Sequence, residues 1–135
     1  MANLVFPKFK GSLAIASPGT SWINGNIVVV LTSAAYVPSA TDQYLADIPS
    51  GARVATSGSL TGASISAVAA FDTDDVTLSA VSGVEVTGVV LYLDTGAEAS
   101  SRLIYFQDNN TTGIPFTPNG SDVALAVDAG GWFTL

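Results

Sequence analysis

A period-two alternation of apolar and polar residues is the feature that most constrains the fold of this chain. The segment DVTLSAV places Val76, Leu78 and Ala80 on one face, with Thr77 and Ser79 between them on the other. A helix would need apolar residues three or four positions apart, whereas a strand with one buried face needs this alternation. The segment therefore predicts a half-buried β-strand.

Several further segments have the composition of strands. They are NIVVVLTS (26–33), ASISAVAAF (63–71, with Ala63, Ile65, Ala67, Ala69 and Phe71 on one side), VTGVVLYLD (86–94), SRLIYFQD (101–108), SDVALAVD (121–128) and GWFTL (131–135). Two of them, NIVVVLTS and VTGVVLYLD, are apolar on both faces and are predicted to be central strands. Turn-forming dipeptides such as Asn119-Gly120 separate the segments. Their spacing predicts an all-β fold, an antiparallel β-sandwich or barrel-like domain of about seven or eight strands.

Helix is expected in at most one or two short pieces. One candidate is FKGSLAIA, residues 9–16, and the other is SATDQYLADIP, where Thr41 would cap a short turn that Pro49 ends. The turn-rich region 38–62 is either a long crossover between sheets or a functional loop. We interpret residues 1–25 as an amino-terminal lead-in arm and residues 26–135 as a single β-sandwich domain.

Composition limits the classes of function. The chain has 135 residues, a net charge of −7, no cysteine and no histidine, so disulfides, thiolate chemistry and the commonest general base are absent. The negative charge disfavours binding to nucleic acid. The longest apolar run, Ile27 to Leu31, is too short to span a membrane. No signal peptide is indicated at the start. Charged residues make up only 11% of the chain against 48% apolar residues, which suits a protein that buries surface in an assembly.

No motif indicates an enzyme. The serine of GSLTG, residues 58–62, is one place early for a nucleophile elbow, and no phosphate-binding loop with a lysine occurs. The acidic residues show no spacing typical of paired catalytic carboxylates. We therefore predict no catalytic residue, no cofactor-binding residue and no metal ligand.

The acidic cluster in AFDTDDVTLSAVSG is a candidate metal site. Counted from Asp72, an EF-hand would need a ligand at position 5, glycine at position 6 and glutamate at position 12, where this chain has Val76, Thr77 and Gly83. We interpret Asp72, Asp74 and Asp75 as a turn whose side chains bond nearby backbone amides. A calcium site that recruits a distant acid stays open at this point.

Trp22 and Trp132 are the candidates for a sugar-stacking platform. Tryptophan beside a turn or in a terminal strand is, however, more often a core or edge-covering residue. A carbohydrate-binding module is therefore one alternative function.

A family resemblance is carried by four segments in a fixed order: DIPSGARVATSGSLTG, FDTDDVTLSAVSG, VVLYLDTGAEASSRLIYF and GIPFTPNGSDVALAVD. This order resembles a family of small virion structural proteins from tailed bacteriophages, over about residues 36–135. The opening FPKFKGSLA is similar to the start of that family, except that Gly11 and Ser12 stand where longer, more helix-prone residues are usual. The resemblance brings no catalytic or metal residues.

The resemblance implies a non-enzymatic virion component, and we interpret it as a capsid decoration protein on the outer surface of the major capsid protein lattice. The implied partners are the major capsid protein and neighbouring copies of the chain itself, in a homo-oligomer for which a trimer would suit threefold positions. The implied location is the capsid surface, after synthesis in the host cytoplasm. A tail- or fibre-associated virion protein is the alternative within the same class.

The amino-terminal arm is the predicted contact with a partner. Lys8 and Lys10 are two of only four basic residues in the chain, so the arm is locally positive on an acidic body. We predict that Phe6, Pro7, Lys8 and Lys10 dock onto an acidic or apolar patch of the capsid protein or of a neighbouring copy. Removal of residues 1–10 is the expected test of this contact.

Overall fold

The structure is a computed structural model that describes residues 3–15, 20–108 and 114–135. Within these ranges the chain forms ten strands, one α-helix and two short 3-10 helices. The elements are β1 (Leu4–Val5), α1 (Pro7–Ala14), β2 (Ile27–Thr32), 3-10 helices at Leu45–Asp47 and Ser50–Ala52, β3 (Arg53–Thr56), β4 (Ser64–Ile65), β5 (Ala70–Asp72), β6 (Val76–Leu78), β7 (Gly88–Leu93), β8 (Arg102–Gln107), β9 (Val123–Leu125) and β10 (Phe133–Thr134). The predicted all-β class is confirmed.

The largest sheet has the strand order β1-β8-β7-β2-β3, with antiparallel pairing throughout. Every residue of β2 and β7 is buried, so the prediction that these Val-rich runs are central strands is confirmed. A strand covered on both faces has no solvent side on which polar residues would alternate.

Two smaller antiparallel sheets complete the fold, one with the order β10-β5-β4 and one formed by β6 and β9. Side chains from all three sheets meet in one hydrophobic core, which includes Leu31, Phe71 and Leu125. The small sheets therefore cover apolar surface that the large sheet presents.

The segment ASISAVAAF is a tight hairpin, so the prediction of one strand with a single apolar face was wrong. The Ser66 hydroxyl accepts hydrogen bonds from the N–H groups of Val68 and Ala70 at 3.3 and 3.2 Å, and Ala69 has a left-handed φ of 59°. Serine side chains that bond nearby backbone amides favour turns over extended chain. The chain therefore reverses here, and β4 pairs with β5.

The first helix candidate, residues 9–16, is confirmed with shifted bounds. The helix α1 begins at Pro7, a favourable first helical residue, and ends at Ala14, so Ile15 lies beyond it. The predicted last residue, Ala16, lies outside the described residues.

In the second candidate the prediction that Thr41 caps a turn was wrong. The carboxylate of Asp47 accepts the N–H groups of Gln43 and Tyr44 at 2.8 and 3.0 Å, while the Thr41 N–H bonds the hydroxyl of Ser39.

The long connection from β2 to β3 occupies much of the turn-rich region 38–62. It contains both 3-10 helices, and β3 then pairs antiparallel with β2. Arg53 fixes the connection, since its guanidinium donates to the carbonyl oxygens of Ile48 and Leu45. This part of the region is therefore a long ordered connection between neighbouring strands of one sheet, and the chain passes to another sheet only after β3, on the way to β4.

The hydroxyl oxygen of Thr32 is a buried polar atom for which the described residues supply no hydrogen-bond partner. Thr32 is 0% exposed, so this group has lost water without compensation. We expect Thr32→Val to raise the free energy of unfolding by about 1 kcal/mol. The measurement is the urea midpoint, which should rise while the slope of the free energy of unfolding against urea concentration stays unchanged. The control Thr32→Ser keeps the hydroxyl and removes the methyl group, so it should be less stable than the wild type. A Thr32→Val variant that is no more stable than Thr32→Ser would contradict the expected gain from removing the hydroxyl.

Candidate functional site

The acidic cluster lies at the junction of the two smaller sheets. Residues 72–75, here the acidic connector, lead from the end of β5 into β6, and these two strands belong to different sheets. The prediction that this segment joins two strands is confirmed. The prediction of a turn whose carboxylates bond nearby backbone amides holds only for Asp72, because the partners of Asp74 and Asp75 are distant in sequence. The acidic side chains of the connector bind three separate parts of the chain.

The three carboxylates of the acidic connector have different partners. Asp72 accepts the N–H of the next residue, Thr73, at 2.8 Å. Asp74 accepts the hydroxyl of Thr61 at 2.9 Å, and Asp75 accepts the backbone N–H of Val127 at 2.8 Å. Across the described residues no group of three or more acidic side chains is placed to hold a metal ion. The arrangement anchors loops to one another.

Both tryptophans donate their indole N–H groups to the acidic connector. Trp22 bonds the carbonyl oxygen of Asp72 at 3.2 Å, and Trp132 bonds the hydroxyl of Thr73 at 2.8 Å. Trp22 is only 2% exposed and Trp132 is half-buried. A sugar-stacking residue needs an open ring face, so the buried Trp22 cannot serve as one. Trp22 is instead a core residue.

The predicted contact residues of the amino-terminal arm are divided between the core and the surface. Phe6 is 0% exposed and belongs to the hydrophobic core together with Phe9. Pro7, Lys8 and Lys10 are exposed on α1. The segment before α1 is β1, which pairs with β8, so this part of the arm is integrated into the large sheet.

The exposed surface of α1, here the α1 face, comprises Pro7, Lys8, Lys10, Gly11 and Ala14. Helical spacing places the two lysines on opposite flanks with the smaller residues between them. A Cβ atom added at Gly11 would have no atom within 4 Å. The α1 face is therefore a shallow surface bordered by two cations.

A surface groove of about 370 Å³ runs beside the α1 face. Lys8 and Ile15 line it from the helix side, and Gln43 and Arg102 line it from the opposite side. The guanidinium of Arg102 lies 5.4 Å from the centre of the Tyr44 ring, which orients it by cation–π attraction. The groove thus brings together cations that are distant in sequence.

The remaining cation of the chain, Arg53, has a structural role. Besides its bonds to backbone carbonyl oxygens, it forms an ion pair with Glu98 at 2.8 Å. The hydrogen bond and the positive charge of Arg53 lower the pKa of Glu98. Among the described residues, exposed positive charge is therefore concentrated on α1, at Lys8 and Lys10.

Titratable groups with altered pKa values do not form a reactive constellation. Burial, followed by the hydrogen bond to Asp42 at 2.7 Å, raises the pKa of Tyr36. Burial also raises the pKa values of Tyr92 and Tyr105. Tyrosines held in the neutral form at neutral pH cannot act as bases, and no nucleophile lies beside them in the hydrogen bonds described here.

No family model and no curated protein matches the chain. Within the described residues no helix has the length and apolar character needed to cross a membrane.

Sequence reasoning identified the lysines of the site but missed Arg102 and Ile15. Arg102 comes beside α1 because its strand, β8, is hydrogen-bonded to both sides of the groove. The carbonyl oxygen of Ile104 accepts the Phe6 N–H, and the Leu103 N–H donates to the carbonyl oxygen of Gln43. No local pattern around Arg102 indicates these partners. Ile15 is 78% exposed, and its position at the end of the helix candidate was its only signal.

Proposed function

We propose that this chain is a non-enzymatic structural protein of a bacteriophage virion, a capsid decoration protein that binds the outer surface of the major capsid protein lattice. The observation that carries the proposal is the α1 face, where Lys8 and Lys10 lie exposed on a chain with a net charge of −7. The resemblance of residues 36–135 to virion structural proteins supports the same class.

The chemistry of the α1 face fits an acidic partner surface with an apolar spot. Lys8 and Lys10 carry exposed positive charge, and Ile15 adds an exposed aliphatic side chain next to the groove. Opposite charges across an interface accelerate association and set its orientation. Binding through this face should weaken as the salt concentration rises, because exposed charges are screened.

The structure changes the experiment that tests this contact. Removal of residues 1–10 would delete β1 and the core residues Phe6 and Phe9, so loss of binding would report loss of the fold. Substitutions confined to exposed side chains of the α1 face avoid this problem.

We expect the double variant Lys8→Gln/Lys10→Gln to bind capsids about tenfold more weakly, since each exposed ion pair contributes roughly 0.7 kcal/mol. The measurement is occupancy on purified particles that lack the protein, titrated below saturation. The matched control is Ser59→Glu/Ser79→Glu, which changes the net charge equally at exposed positions away from α1. Wild-type occupancy of the lysine variant, or an equal loss in the control, would reject the α1 face as the contact.

The copy number per particle tests the location on the virion. A lattice-bound protein is expected in tens to hundreds of copies, whereas a tail-tip protein is expected in a few. Particle microscopy that places the chain on the tail would replace the decoration assignment by the tail-associated one.

A further inference from the structure

Two dipeptides of the chain, Asn24-Gly25 and Asn119-Gly120, can undergo a covalent reaction that the proposed function does not use. Glycine has no Cβ, so its backbone nitrogen can approach the carboxamide carbon of the preceding asparagine without steric hindrance. Closure of that ring expels ammonia and converts asparagine to an acidic residue. Because the same dipeptide occurs twice, the effect of the fold on this reaction can be separated from the effect of the sequence.

The turn before β2 leaves both reacting groups of the first dipeptide uncovered. Asn24 and Gly25 are exposed. The backbone N–H of Asn24 donates to the hydroxyl of Ser21 at 3.0 Å, but its side-chain carboxamide has no hydrogen-bond partner among the described residues. The N–H of Gly25 likewise has none there. The attacking nitrogen and the carbon that it would attack are therefore both free of hydrogen bonds that would hold them apart.

The second dipeptide is held by hydrogen bonds at both groups. The Gly120 N–H donates to the carbonyl oxygen of Val81 at 2.7 Å, and the carboxamide oxygen of Asn119 accepts the Ser121 N–H at 3.0 Å. The Gly120 nitrogen must leave Val81 before it can lose its proton and attack. Since each hydrogen bond opposes the rearrangement, the fold slows ring closure here, although Asn119 is exposed.

Packing requires glycine at position 25. A Cβ atom there would collide with the backbone carbonyl oxygen of Ser21 and would lie 2.5 Å from a methyl carbon of Leu93. Leu93 is a buried residue of β7 that pairs with Ile27 of β2, so it cannot move without disturbing the two central strands. The fold therefore keeps an unhindered backbone nitrogen next to Asn24.

We propose that Asn24 is a site of spontaneous deamidation in the folded chain and that Asn119 is protected from the same reaction. The Gly25 nitrogen loses its proton and bonds to Cγ of Asn24, the bond from Cγ to Nδ2 breaks, and the nitrogen leaves as ammonia. Water then adds to one carbonyl carbon of the cyclic imide. Cleavage of the bond from the Gly25 nitrogen to Cγ gives aspartate, and cleavage of its bond to the main-chain carbonyl carbon gives isoaspartate. The reaction needs only water and does not depend on the virion assignment.

Incubation of the full chain in neutral buffer, followed by tryptic digestion and mass spectrometry, tests the proposal. Trypsin cuts after lysine and arginine, so Asn24 falls in the fragment 11–53 and Asn119 in the fragment 103–135. Fragment-ion masses then assign each conversion to a residue. We expect Asn24 to convert about tenfold faster than Asn119 in the folded chain, the factor that two ordinary hydrogen bonds impose. Equal rates, or faster conversion of Asn119, would overturn the proposal.

The same measurement in urea that unfolds the chain is the matched control. Unfolding releases Gly120 from Val81, so conversion of Asn119 should accelerate until the two sites react at similar rates. An Asn119 rate that urea leaves unchanged would refute the protection by the fold.

The variant Asn24→Gln tests the assignment to residue 24. Its longer side chain would have to close a larger ring, so conversion in the fragment 11–53 should be lost while conversion in the fragment 103–135 is unchanged. That first fragment also contains Asn26. Conversion that persists in the fragment 11–53 of Asn24→Gln would place the reaction at Asn26 and overturn the assignment.

Discussion

Replacement of Trp22 with alanine is expected to lower the free energy of unfolding by roughly 3 to 5 kcal/mol. Trp22 lies edge-on to Phe71 and Phe133, with ring centres 5.2 and 5.7 Å away. Phe133 also stacks on Tyr105 of β8 at 5.0 Å. These rings join the three-stranded sheet to the five-stranded sheet, so the cavity left by Trp22→Ala would open where the sheets meet.

The expected loss is a large share of the roughly 5 to 15 kcal/mol that stabilises a domain of this kind. It is measured by urea denaturation followed by far-ultraviolet circular dichroism. Trp22→Phe is the matched variant, because it retains an aromatic ring but removes the indole N–H that bonds the Asp72 carbonyl oxygen. We expect an intermediate loss for it. A Trp22→Ala variant within about 1 kcal/mol of the wild type would be inconsistent with a core position for Trp22.

The sequence predicts correctly those elements whose own residues are sufficient to determine them, and it fails where burial depends on residues far away in the chain. The central strands β2 and β7 were identified because a Val-rich run that is buried on both faces carries its own signal. The core positions of Phe6 and Trp22 had no such signal, since Phe6 lies between two short elements and Trp22 lies in a turn. Their burial depends on partners such as Ile104 and Phe71 that are far away in sequence.

The hairpin at ASISAVAAF shows a second limit. Small residues alternate there as they would in one weak strand, and nothing in the pattern indicates that the Ser66 hydroxyl binds the backbone of the following turn. The reversal creates β4, which pairs with β5. In the candidate site, Lys8 and Lys10 form a local charge cluster that the sequence shows directly. Arg102 lines the groove together with Lys8 only because β8 passes beside α1.

The adjacent glycines 130 and 131 are expected to respond very differently to substitution. Gly131 has a left-handed φ of 90°, and a Cβ atom there would lie 2.6 Å from the carbonyl oxygen of Phe71. That oxygen is fixed, because it also accepts the N–H of Trp132 at 2.7 Å. Neither restriction applies at Gly130, where a Cβ atom would have no atom within 4 Å.

We therefore expect Gly131→Ala to cost roughly 2 to 4 kcal/mol of the free energy of unfolding, through backbone strain and displacement of β5 from β10. Gly130→Ala should stay within about 0.5 kcal/mol of the wild type. Both variants add one methyl group to neighbouring positions, so the difference between their urea midpoints isolates the backbone requirement at Gly131. Equal stabilities of the two alanine variants would show that the turn before β10 can relax without disturbing β5.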